Sequence, residues 1–377
     1  MEKKRTAVLI GGSGLLGGTI VNFYKTRFAT DIEIRAPSSK KVSIRVENDI
    51  YGYLNEVKPD FVINAAMAKL GAGCQLAYEV NYLGAVNLAR GAVSLGVPYI
   101  HLSSAAVMPA GLDISEEQIL PLSPDLNPYA KSKLMAELTL RRMADEEGLD
   151  YSCIRLAIAY GAHDHKIQGF QRMLQSLADQ SMPLLFTSAN TLHSYSNSRK
   201  LPFLINHMLH RREEFRGQIY NFADSQPVDL TTLILHIKKL LHLKVPREIH
   251  VPFWLANTGR RGAEILIRLL RKTGLRATLP PELMFLENFY KSQTLSTKKL
   301  NNSTFSDPQP NETIFTRLPE MAEYYLTRWV NENLITPRTP IFNVPNGSAS
   351  DFVKSPEVLL AATHARGLGP LPTVVKR

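Results

Sequence analysis

Residues 7–18 read AVLIGGSGLLGG, an apolar run that breaks into a glycine cluster. A short aliphatic run of this kind is the pattern of a strand buried on both faces of a parallel sheet. Gly11, Gly12, Gly14 and Gly17, with Ser13, Leu15 and Leu16 between them, fall where such a strand must turn tightly into a helix. Glycine lets the backbone approach a pyrophosphate closely, and the N–H groups and dipole at the helix start then meet its charge. The spacing satisfies both GxGxxG (Gly12, Gly14, Gly17) and GxxGxxG (Gly11, Gly14, Gly17), so residues 11–17 form the expected dinucleotide turn.

Outward from this turn, strand-like runs at residues 7–10, 31–35, 61–64, 99–103 and 151–159 alternate with helical stretches. That alternation predicts a doubly wound parallel α/β sheet, the Rossmann arrangement, over residues 1–160. From 161 to 335 the pattern shifts to helices joined by longer loops, the expected smaller and mainly helical substrate lobe. One strand-like return at residues 218–222 is expected back on the main sheet. Residues 336–377 are rich in Pro, Gly and Ser and read as an irregular tail. No internal repeat interrupts this order.

Far downstream, residues 128–137 read PYAKSKLMAE and place Tyr129 and Lys133 four apart, on one face of a helix. An ammonium beside a phenol lowers the tyrosine pKa from about 10 toward the range of a proton-transfer catalyst. Upstream, YIHLSSAAV is a strand ending in Ser103 and Ser104, whose hydroxyls are suited to holding a carbonyl or alcohol.

The chain resembles the extended short-chain dehydrogenase/reductase superfamily, which includes NAD-dependent epimerases and dehydratases. The resemblance runs in order through GGSGLLG (11–17), NDI (48–50), KPDFVINAA (58–66), EVNYLGAVNLA (79–89), HLSSAAV (101–107), YAKSK (129–133), IRLAIAYG (154–161) and GQIYNFA (217–223). It looks most like the keto-rhamnose-reductase and 3β-hydroxysteroid-dehydrogenase branches. By position, the resemblance implies that Ser104, Tyr129 and Lys133 are the catalytic serine, tyrosine and lysine. It implies that Asp49 and Ile50 touch adenine, that Asn64, Ala65 and Ala66 lie under the nicotinamide ribose, and that Asn81 is a cofactor-side contact. The implied activity is an NAD(P)-dependent interconversion of a ketone and a secondary alcohol on a small-molecule substrate. The alternative is epimerisation, dehydration or keto-reduction of a nucleotide sugar by the same three residues. Two departures favour the first. Ile158 stands where sugar-nucleotide members have an asparagine, and His193 where they have a diphosphate-gripping arginine.

Cofactor choice turns on the end of the second strand, where an acid reads the ribose of NAD and an arginine accepts the 2′-phosphate of NADP. In DIEIRAPSSKK the last strand residue is Arg35, so NADP is expected. NAD is the alternative, through Glu33.

The 377 residues are 44% hydrophobic, enough for a substantial core, and carry a net charge of +10. Nearly all of that excess is local, since residues 238–299 hold thirteen Lys and Arg against four Glu and no Asp, a net +9. Within it, RRGAEILIRLLRK reads as an amphipathic helix with a basic face, suited to an anionic substrate, an acidic partner or a peripheral membrane contact. No nucleic-acid-binding motif is present. No run approaches the roughly 20 apolar residues of a transmembrane segment. Two distant cysteines, Cys74 and Cys153, suit a reducing compartment, and a cytoplasmic homodimer is expected. No metal is expected, His163, Asp164 and His165 reading as loop residues. Trp254 and Trp329 read as packed aromatics.

Overall fold

The computed structural model describes residues 4–26, 31–179, 184–186, 190–244, 247–249, 251–272, 286–335 and 356–357. All but two residues of the expected tail therefore lie outside the described residues. Six parallel strands form the main sheet: β1 (Arg5–Ile10), β2 (Ile32–Arg35), β3 (Phe61–Asn64), β4 (Tyr99–Ser104), and the strands Tyr151–Leu156 and Gln218–Phe222. Their spatial order is Gln218–Phe222, Tyr151–Leu156, β4, β3, β1, β2. The chain leaves β1 first for β2 on one side and then for β3 on the other, with Ala7 opposite Phe61 and Ile34. The crevice above the strand ends at this reversal is where open α/β sheets bind ligands.

Why residues 7–10 form an unbroken apolar run is visible in the two layers they separate. Successive side chains of a strand point to opposite faces. Ala7 and Leu9 pack with α1 (Leu15–Thr26) and the Leu201–His210 helix, through Ile20, Phe23, Leu204 and Met208. Val8 and Ile10 pack on the other side with α2 (Glu47–Val57) and the helices Gly84–Leu95 and Pro128–Glu147, through Tyr53, Leu54, Leu88 and Leu140. Cys153 is fully buried in this second layer, as its strand predicts.

The expected strand over 151–159 breaks at Ala157. Its second half, Ile158–Tyr160, leaves the main sheet and pairs with Tyr195–Asn197. The second half, expected to be the substrate lobe, is built on a third apolar cluster that joins Phe170, Leu174, Leu233, Ile237, Leu318 and Trp329. Besides its helices it carries a small sheet of four segments, Val228–Asp229, Leu192–His193, Gln293–Leu295 and Gly111–Ile114. Trp329 is buried and stacks on Tyr325. Trp254 is 69% exposed, which overturns its reading as a packed aromatic.

Candidate active site

Gly11 turns the chain with φ of +91°, and a methyl group there would meet the Ala65 carbonyl carbon at 2.5 Å. A Cβ at Gly17 would meet the Gly11 oxygen at 2.1 Å. Only glycine therefore lets the turn lie against the end of β3 while α1 begins directly behind it. The first turn of α1 holds no acidic side chain, which keeps its positive dipole end open to an anion.

Over this turn opens a cavity of about 890 Å³. Gly11, Gly12, Ser13, Gly14, Leu15 and Leu16 line it, with Ala65 and Ala66 beside them. Ser104, Tyr129 and Lys133 line the same cavity. Asn127 caps the helix that carries the last two, accepting the Ala130 N–H at 2.9 Å, and Pro128 occupies its first turn. Ser104 lies beside Tyr129 and accepts the Ala106 N–H at 3.2 Å. The Lys133 ammonium donates to the Leu102 carbonyl at 2.8 Å, and burial pulls its pKa down to about 8.

Tyr129 differs from the expectation that its lysine lowers its pKa. Burial raises the phenol above its ordinary value, with the neighbouring Ser104 hydroxyl opposing that rise. The phenol therefore keeps its proton across the neutral range.

Several expected cofactor residues lie outside the cavity wall. Arg35 pairs with Glu33 at 3.2 Å, and the wall beyond β2 is made by Ala36, Ser38 and Ser39 with Lys25 and Arg45. Asp49 and Ile50 sit in α2. Asp49 accepts the Ser43 N–H at 3.4 Å and Ile50 is buried in the core, while Val42, Ser43, Ile44 and Arg45 take the place by the cavity. Gly17 packs behind the turn. Asn64 is buried beneath the cavity, donating to Tyr99 Oη at 2.9 Å and accepting the Ala66 N–H at 3.0 Å. Asn81 accepts the Ala68 N–H at 2.8 Å and donates to Ser132 Oγ at 3.1 Å, and Ser132 donates in turn to the Tyr129 carbonyl at 3.0 Å. Asn81 thus ties the 65–68 loop to the Tyr129 helix across a π-helical segment, Tyr78–Leu83. His193 is turned to the Asn288 carbonyl at 2.8 Å, whereas Ile158 lines the cavity.

Three features escape a reading of motifs. Ser132, inside YAKSK, is the bridge just described. Gln293 lines the lobe side of the cavity and donates to the carbonyls of Ala105, Met108 and Pro109 at 3.1–3.2 Å. Leu70 N–H donates to Gln168 Oε1 at 3.1 Å and clasps the 66–71 loop to the 161–168 loop beside the cavity. None carries a sequence signal, because each joins segments far apart in the chain.

A glycine turn at a helix start and a Ser/Tyr/Lys group in one cavity fit a dinucleotide with a nicotinamide at the Tyr129 end. The family model described as NAD dependent epimerase/dehydratase matches residues 7–222. The chain belongs to this family. It is an NAD(P)-dependent enzyme of the extended short-chain dehydrogenase/reductase type. Among curated relatives, human sterol-4-alpha-carboxylate 3-dehydrogenase, decarboxylating, is 23% identical over 67% of this chain and 70% of its own length. The cattle protein of the same name is 23% identical over 68% and 75%. Among solved structures, dTDP-4-dehydrorhamnose reductase of Clostridium acetobutylicum superposes with a TM-score of 0.60 at 17% identity, covering 85% of this chain and 99% of that one. UDP-glucose 4-epimerase of Thermus thermophilus, solved with NAD, gives 0.62 at 17% identity over 85% and 99%. These likenesses are of fold. Family members among them include reductases, epimerases and dehydratases.

Proposed function

We propose that this enzyme interconverts a ketone and a secondary alcohol on a largely apolar small molecule, by hydride transfer with Tyr129 as the acid/base. What carries this reading is that the glycine turn and the Ser104, Tyr129 and Lys133 side chains line one cavity. When bound, the nicotinamide cofactor supplies or takes the hydride. In the reductive direction Tyr129, held protonated by burial, gives its proton to the substrate oxygen, and Ser104 hydrogen-bonds that oxygen. The buried Lys133 ammonium, which lines the cavity with Tyr129, offers a donor to the cofactor ribose. The glycine turn and the start of α1 receive the pyrophosphate.

Support for an apolar substrate comes from the wall formed by Met67, Ala157, Ile158 and Ala159, and from His193 being turned away to a backbone carbonyl. A diphosphate against that wall would be poorly compensated. Lys166, also on the lining, offers a charge to an acidic group, and the curated relatives are named for a sterol carboxylate.

The test is oxidation of NADPH or NADH by the purified protein against a panel of cyclic ketones and 4-keto nucleotide sugars. Ketone-dependent oxidation is expected, falling on the order of 10²- to 10⁴-fold in Tyr129→Phe with cofactor affinity nearly unchanged. Near wild-type turnover in that variant removes Tyr129 from the chemistry. Thermal stabilisation by UDP or dTDP, with none by ketones, transfers the reading to a nucleotide sugar.

A further inference from the structure

The Phe253–Lys272 helix has three sides when its residues are set 100° apart around the axis. Phe253, Ala256, Ala263 and Ile267 turn toward the protein and are buried or half-buried. A second side carries Trp254, Leu255, Ile265, Leu266 and Leu269, all exposed, within an arc of roughly 120°. Beside it run Arg261 and Arg268, also exposed. Five of the thirteen exposed large hydrophobic residues among the described residues thus fall on one side of one helix. Scattered apolar residues need no explanation, but a contiguous stripe marks a surface that is covered in use.

Charge identifies what covers it. The helix holds five basic residues and a single acid, Glu264, which is paired with Arg260 at 3.8 Å. A second copy would set this basic segment against itself. The 336–377 segment is no better matched, with five Lys and Arg against two acids. An anionic bilayer meets both needs, because acyl chains take the apolar side and headgroups the arginines. No helix among the described residues is long and apolar enough to cross a membrane, so this one lies along the surface.

We infer that the Phe253–Lys272 helix docks the enzyme on the surface of an anionic lipid bilayer. The helix is fastened beside the cavity. The Phe253 ring meets Tyr290 at 5.3 Å and lies under the Lys291 ammonium at 5.5 Å, and Gln293, two residues on, lines the cavity. Docking therefore sets the side of the cavity lined by Gln293 toward the lipid surface.

The full-length protein is tested by flotation with phosphatidylcholine vesicles, with and without phosphatidylglycerol. Binding to the anionic vesicles is expected, weakening as salt rises. It should fall at least about tenfold in Leu266→Glu/Leu269→Glu and in Arg261→Glu/Arg268→Glu. A second reading needs no variant. Trp329 is fully buried, so a blue shift of tryptophan emission on vesicle addition, and its quenching by brominated lipid, report Trp254. Failure to float with anionic vesicles at low salt, or emission that vesicles leave unchanged, overturns the proposal. So does a dimer in light scattering that Leu266→Glu/Leu269→Glu dissolves, which would assign the face to a second copy.

Discussion

At the scale of single residues, burial sets the protonation states on which the proposed chemistry depends. Lys133 is pulled down to about 8, so its ammonium is present below that pH and lost above it, whereas the raised phenol of Tyr129 keeps its proton. The reductive rate should therefore stay flat through neutral pH and fall on the alkaline side with a midpoint near 8. A pH profile of kcat/KM checks this, and an alkaline limb that stays in place in Lys133→Met would assign it to another group. Arg35 is a second instance, in which placement decides. Both guanidiniums are paired, Arg35 with Glu33 and Arg45 with Glu79, but Arg45, Ser38 and Ser39 line the cavity beyond β2 and Arg35 does not. Arg45→Ala should therefore narrow a preference for NADPH over NADH by about tenfold or more, the worth of a charge-assisted hydrogen bond to the 2′-phosphate, about 1.5 to 3 kcal/mol. Arg35→Ala should change it little. Fluorescence titration of both cofactors separates the two, and a larger effect at Arg35 would restore it as the reader of the phosphate.

At the scale of elements, the Tyr129 helix is held to the sheet by a buried ion pair. Arg155, on the Tyr151–Leu156 strand, grips Glu137 with Nη2 to Oε2 at 2.7 Å and Nε at 3.1 Å, and Ser103 of β4 donates to the same carboxylate. Glu137 lies one helical turn beyond Lys133, so this clamp fixes the helix against the strand that ends in Ser104. Arg155→Met should cost about 3 to 5 kcal/mol, because it leaves a carboxylate buried and unpaired. Adding Glu137→Leu should recover much of that loss. Denaturant unfolding of both variants checks the prediction, and a double variant no better than the single one would place the cost in packing. Elements of this kind were legible from the sequence in proportion to their length and to the locality of their cause. The strand at 7–10 announces itself because both faces are buried and every residue is apolar, and those at 61–64 and 218–222 because apolar residues still dominate around Asn64 and Asn221, which are buried and hydrogen-bonded. The two-residue strand at Leu192–His193 has no period to detect. Asp49 and Ile50 matched a motif, yet the cavity wall is Val42 to Arg45, because the loop before α2 rather than its first turn meets the cavity. Asn81 was singled out for the cofactor. Its amide is spent instead on Ala68 and Ser132, a cross-chain bond that a linear pattern does not encode.

At the scale of the whole molecule, the dinucleotide sheet and the lobe are interleaved in the chain rather than placed end to end. The Gln218–Phe222 strand pairs along Tyr151–Leu156 and completes the sheet. The Leu201–His210 helix covers the face that carries Leu9 and Ile20 with Leu201, Leu204, Ile205, Met208 and Leu209, and Tyr220 and Phe222 join the same layer. In the other direction, Gly111–Ile114 leaves the first half to pair with Gln293–Leu295 in the lobe. A fragment ending at residue 160 would thus lose these seven buried apolar side chains, besides Phe215 and Leu300 of the same core layer. At about 1.5 to 3 kcal/mol each, the loss of the seven is about 10 to 20 kcal/mol, against the roughly 5 to 15 kcal/mol by which a domain is stable at all. We expect residues 1–160, expressed alone, to show no cooperative thermal transition by circular dichroism and no cofactor-dependent stabilisation. A fragment extended to residue 224 regains both the strand and the helix, and should recover a cooperative transition even though it lacks most of the lobe. Cooperative melting of the shorter fragment would mean that the first five strands close a core without the return of the chain.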